Sequence, residues 1–167
     1  GSYFLLKPYN GIGTLLGKVG EIDPRIVTII GAGVAGKEAA KKALSVGSHV
    51  KVLDLSVEKL DLLKDEIGND RIEYLISSPE SIKEAISDSD LVIGSVYIVG
   101  KEAPTVIPKE MITLMKPGSV LVDISIDQGG CIETSRPTTH DNPTFVYEDV
   151  VHYCVTNMPG AVPLTAT

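Results

Sequence analysis

From residue 26 onward, short β-branched runs alternate with stretches of helical spacing, and this alternation limits the chain to very few architectures. The run Ile26-Val27-Thr28-Ile29-Ile30 has the composition of a strand covered on both faces. Residues 34–46 carry small and apolar side chains at helical spacing, and Gly47 stands where a helix-ending glycine belongs. A second strand is expected over 49–53, ending at Asp54, and Ser56 is placed to cap a helix that buries Leu60 and Leu63. The pattern continues with a strand at 72–76, a short helix at 81–86, a strand from Leu91 to Val96 and a helix at 108–115 opened by Pro108. A strand from Val120 to Ile126 and strand candidates at 145–147 and 151–155 complete it. Strand and helix in strict alternation imply parallel pairing through right-handed crossovers. The expected fold is therefore α/β, a Rossmann-type doubly wound parallel sheet with helices on both faces. Residues 1–24, with Pro8, Gly11, Gly13, Gly17, Gly20 and Pro24, read as an irregular lead-in, which leaves 25–167 as the domain.

Composition narrows the function. A formal net charge of −7 disfavours binding to a nucleic-acid backbone, which needs clustered Lys and Arg. A phosphate-bearing ligand would have to be held by backbone amides and a helix terminus. The longest weakly polar run, 26–36, is broken by glycines and too short to cross a membrane, so no membrane association is expected. Cys131 and Cys154 make neither a disulfide framework nor a metal site, and nothing indicates export; reduced thiols and a cytoplasmic location are the expectation. His49, His140 and His152 lack metal-like spacing, so no metal is expected. No serine or cysteine nucleophile arrangement is visible.

Gly31-Ala32-Gly33-Val34-Ala35-Gly36 satisfies G-x-G-x-x-G. The pattern alone is weak, and Gly11, Gly13 and Gly17 nearly mimic it. Context separates the two, because the second cluster directly follows a strand and directly opens a helix. In that setting Gly31 permits the tight turn, Gly33 admits a pyrophosphate to the backbone, and Gly36 lets helix and strand pack closely. Asp54, at the end of the second strand, matches the acidic residue that bonds the ribose 2′-hydroxyl of NAD and repels the 2′-phosphate of NADP. NAD is the expected cofactor. The plainer alternative is that Asp54 caps the following helix.

Ligands of open α/β sheets bind outside the carboxyl ends of the strands. Those ends supply Gly31, Asp54, Ser77, Val96 with Tyr97, Ile124, Ser125, Ile126 and Asp127, and Val155, Thr156, Asn157 and Met158. Asp127, a carboxylate beside Gly129-Gly130, is the leading candidate for chemistry. The alternative is a structural Asp that ties down the glycine turn. The polar stretch 127–142 is long enough to be functional or mobile. Within it, Arg136 either contacts a phosphate or braces the loop.

Longer strings are more specific than the glycine fingerprint. They include 30–36, 90–94, 115–120, Asp123-Ile124-Ser125-Ile126-Asp127-Gln128-Gly129-Gly130-Cys131, Ser135-Arg136-Pro137-Thr138-Thr139-His140-Asp141, and 153–163. Through these the chain resembles the alanine dehydrogenase family over its whole length. The resemblance implies an oxidoreductase that deaminates L-alanine to pyruvate and ammonia with hydride transfer to NAD. It implies cofactor contacts at Val34, Ala35, Asp54, Lys59, Ser77, Val96, Tyr97, 124–127, Arg136 and 155–158, and it matches Asp127 to the family's active-site aspartate. The family's substrate-binding and general acid–base groups lie in a second domain absent from this sequence. The chain is therefore expected to be a fragment without turnover of its own, from a homo-oligomeric parent. Two alternatives stand beside this reading: a non-catalytic dinucleotide-binding module, and the NAD domain of a transhydrogenase.

Overall fold

The computed structural model describes residues 24–96, 100 and 104–156. Of the expected lead-in at 1–24, residues 1–23 lie outside them. Among the described residues, strands β1 (Ile26–Ile30), β2 (His49–Asp54), β3 (Ile72–Ile76), β4 (Leu91–Gly94), β5 (Val120–Asp123), β6 (Thr144–Tyr147) and β7 (Val150–Tyr153) form one sheet. Its order is β3-β2-β1-β4-β5-β7-β6, parallel throughout except for the β6–β7 pair. The order reverses between β1 and β4, which places a topological switch point at the end of β1.

Helices α1 (Val34–Ser45), α2 (Val57–Ile67), α3 (Pro79–Ser87) and α4 (Lys109–Ile112) fill the crossovers. Alternation along β1 shows how two layers are covered. Val27 and Ile29 join Ala40, Ala43 and Leu44 of α1 and Leu60 and Leu63 of α2 in one core. Ile30 instead packs with Ile82, Ala85 and Ile86 of α3 and Ile112 of α4 in a second core on the other face. Caps set the helix boundaries: Ser56 Oγ accepts from Lys59 N, and Ser78 with Ser81 forms a capping box in front of Pro79.

Three expectations require correction. The strand expected to run on to Ile126 ends at Asp123, and Ile124–Gln128 is a turn of 3₁₀ helix. The cause is the Asp123 carboxylate, which accepts from Ser125 N and turns the chain out of the sheet. The helix expected over 108–115 is α-helical only at Lys109–Ile112, after which i→i+3 bonds at Leu114 and Met115 carry it as turns. The strand expected from Leu91 to Val96 ends at Gly94. The sheet itself is mostly parallel, as expected, with one antiparallel pair, β6–β7. Only Glu148 and Asp149 separate β6 from β7, both with positive φ, and a two-residue connection can join only antiparallel neighbours.

Candidate dinucleotide-binding cleft

A cleft of about 1130 Å³ opens along the carboxyl ends of β1, β2, β4 and β5. Of the residues expected to form a site, Gly31, Gly33, Val34, Ala35, Asp54, Lys59, Ser77, Val96, Ile124, Ser125 and Asp127 line it. Gly36, Ile126, Arg136, Val155 and Thr156 do not. Tyr97, Asn157 and Met158 lie outside the described residues.

The three fingerprint glycines have distinct surroundings. Gly31 has φ +111°, and a Cβ there would stand 2.6 Å from the Ser95 carbonyl oxygen. A Cβ on Gly36 would collide with the Gly31 carbonyl oxygen, so its absence is what brings α1 against β1. Gly33 faces open space, with no atom within 4 Å of a Cβ position. Gly33 is also the N-cap of α1, and no side chain caps that terminus or adds an acid to its first turn. The first amides of α1 are thus left to an anion entering the cleft.

Two side chains clamp this loop. Asp54 Oδ2 accepts from Ala32 N at 2.7 Å, and its Oδ1 accepts from Ser56 N at 2.8 Å. Asp54 therefore takes on the local turn-stabilising role and also lines the cleft. A carboxylate has about four lone-pair sites, so these two bonds leave acceptor capacity for a ligand hydroxyl. From the β4 side, the Ser95 hydroxyl lies 3.1 Å from the Ile30 and 3.0 Å from the Gly31 carbonyl oxygen. Ser95 was missed in the sequence because a serine after a strand carries no pattern; its role comes from the fold alone.

A buried aspartate, Asp123, holds the chain that leaves the Gly129-Gly130 turn. Asp123 is fully buried, and its carboxylate accepts from Cys131 N at 3.0 Å and from the Ser135 hydroxyl at 2.6 Å. Asp127 is exposed on the same turn and lines the cleft with Ser125 and Gln128. Arg136 stacks over the Phe145 ring, 4.2 Å from its centroid. Phe145 stacks in turn on His152. His152 is buried: its Nδ1–H donates to the Val150 carbonyl, so Nε2 is left to accept from the Thr134 hydroxyl. Burial holds its pKa below the usual histidine range.

Cys131 sits against Gly94, where a Cβ would come within 2.5 Å of its sulfur. Burial first, and then the Asp123 charge, push its thiol up to about 12. The native chain is expected to leave Cys131 unmodified by a thiol-disulfide reagent at pH 8, with rapid labelling only after unfolding. Mass-spectrometric mapping of the labelled peptide with and without denaturant checks this. Fast native labelling at Cys131 would contradict the buried-thiol geometry.

A doubly wound sheet with a glycine loop, an uncapped helix terminus and an acidic β2 end defines a Rossmann-type domain of the dinucleotide-binding class. The chain belongs to the family described as "Alanine dehydrogenase/PNT, C-terminal domain", whose model matches residues 1–167. It is 50% identical to an alanine dehydrogenase of Mycolicibacterium smegmatis, over 100% of this chain and 45% of that protein. A solved L-alanine dehydrogenase superposes with a TM-score of 0.96 at 46% identity, over 100% of this chain and 46% of that one. A transhydrogenase from Sinorhizobium meliloti gives 0.75 at 26% identity, over 91% of this chain and 43% of that one. The chain thus spans less than half the length of the relatives it matches. Among the described residues, no helix is long and apolar enough to cross a membrane.

Proposed function

We propose that residues 25–167, behind a lead-in at 1–24, form the NAD-binding portion of an alanine dehydrogenase that converts L-alanine to pyruvate and ammonia. The observation that carries this reading is the Asp54 carboxylate held beside an uncapped α1 terminus in a cleft at the switch point. The open space at Gly33 fits a pyrophosphate at the α1 amides, with Lys59 at the rim as a charge partner. Asp54 would accept from the adenosine ribose. NAD, when bound, would supply the hydride acceptor. Asp127, at the end of the cleft built from β5, would hold or move a proton and orient water as the alanine nitrogen is released. The weaker likeness to the transhydrogenase supports this reading over the alternative one. The parent protein is proposed to be a cytoplasmic homo-oligomer with no nucleic-acid partner.

Coenzyme preference tests the Asp54 role. By calorimetry NADH should bind clearly more tightly than NADPH, because a 2′-phosphate would meet the Asp54 carboxylate. Asp54→Ala should weaken NADH by about 1–3 kcal/mol, through loss of a charge-assisted bond and of the acceptor that holds the Ala32 and Ser56 amides. Equal affinities for the two nucleotides would remove Asp54 from the ribose site.

A further inference from the structure

The Asp123 carboxylate gathers more hydrogen-bond donors than its own turn requires. Oδ1 accepts from Ser125 N at 2.9 Å and lies 3.5 Å from the Cys131 sulfur. Oδ2 accepts from Cys131 N at 3.0 Å, Ile132 N at 3.3 Å and the Ser135 hydroxyl at 2.6 Å. The side chain has no exposed surface and does not line the cleft. Its position also dictates a neighbour: a Cβ on Gly130, where φ is +82°, would stand 2.9 Å from Asp123 Oδ2.

These bonds suspend one segment of the cleft wall from a single buried group. The 3₁₀ turn Ile124–Gln128 begins at the Asp123 cap, and Ile124, Ser125 and Asp127 of that turn face the cleft. The Ser125 hydroxyl then donates to the Val96 carbonyl at 2.6 Å, which ties the turn to the end of β4. Asp54 and the glycine loop lie on the β2 side of the switch point, and this turn lies on the β5 side. A dinucleotide laid across the crevice with its adenosine at Asp54 would place its other half against the turn.

We infer that Asp123 is a positioning residue for the nicotinamide half of the cleft, acting through the Ile124–Gln128 turn while leaving the adenosine half untouched. The inference rests on the dinucleotide reading above. Every group aimed at Asp123 is a donor, so the site requires an acceptor at both oxygens. Asn supplies only one, and its amide would oppose at least one N–H or O–H.

The experiment compares ADP with NADH on the same protein by calorimetry, together with the emission of bound NADH. Asp123→Asn should weaken NADH about tenfold or more, shift its emission toward that of the free nucleotide, and leave ADP within about twofold. Ser135→Ala removes one donor and should shift NADH in the same direction by about threefold, again sparing ADP. If Asp123→Asn does not fold, Ser135→Ala decides the question. Parallel losses for ADP and NADH, or no loss for either, would overturn the positioning role. Failure of the unsubstituted chain to bind either nucleotide would instead defeat the dinucleotide reading on which the inference rests.

Discussion

In a full-length alanine dehydrogenase carrying this domain, Asp127→Asn is expected to lower turnover by about 100-fold or more while NADH affinity stays nearly unchanged. The structure supplies the reason for separating the two effects. The buried Asp123 already holds the chain that leaves the Gly129-Gly130 turn. The Asp127 carboxylate is exposed at the cleft, at the end of the turn that follows β5. Asn is nearly isosteric, so it keeps the size of the side chain and removes the ability to carry a proton and a charge. Turnover, NADH affinity and unfolding midpoint measured on this one variant check the expectation. A lower midpoint and weaker NADH binding with nearly normal turnover at saturation would assign Asp127 to scaffolding instead.

The second large effect concerns the fingerprint glycines, which should fail in opposite ways. A Cβ on Gly36 meets the backbone carbonyl oxygen of Gly31, and no side-chain movement can relieve that contact. Gly36→Ala is therefore expected to lift α1 from β1 and destabilise the domain by about 3 kcal/mol. That corresponds to about 6–12 °C in Tm for a domain of this size. Gly33→Ala meets no atom within 4 Å, so its Tm should stay within a few degrees. Its methyl group would instead occupy the space beside the α1 amides, and NADH should weaken about tenfold. Thermal unfolding and NADH titration of both variants check the contrast. Equal Tm losses for the two would show that neither glycine is specific to the ligand.

The contrast also marks what the sequence could reveal. Strand and helix order was legible because burial on both faces of a parallel sheet demands β-branched runs separated by helical periods, and 26–122 supplies them with little ambiguity. The cleft was legible for the same reason: once β1 to β5 are placed, their carboxyl ends are placed, and Asp54, Ser77 and Asp127 follow. Two kinds of information were hidden. One was the partner of a short polar side chain: Asp123 and Ser95 look like ordinary strand-end residues until the fold brings Cys131, Ser135 and Gly31 to them. The other was the point at which a strand yields to a tighter turn. Ile124 and Ile126 continue the β-branched pattern past Asp123, yet a single side-chain acceptor outweighs that propensity and draws the chain into a 3₁₀ turn. The β6–β7 hairpin escaped for a related reason, since Glu148 and Asp149 occupy left-handed positions without the Asn-Gly or Asp-Gly pair that announces them.

The double attachment of Asp54 bears on any attempt to redesign coenzyme choice. Exchanging this carboxylate for a small or basic residue, to welcome a 2′-phosphate, would also strip the Ala32 and Ser56 amides of their acceptor. The redesigned protein would then recognise the new nucleotide through a loosened phosphate loop. A recoded variant needs a second substitution that returns an acceptor to those two amides, so position 54 has to be changed as one member of a set.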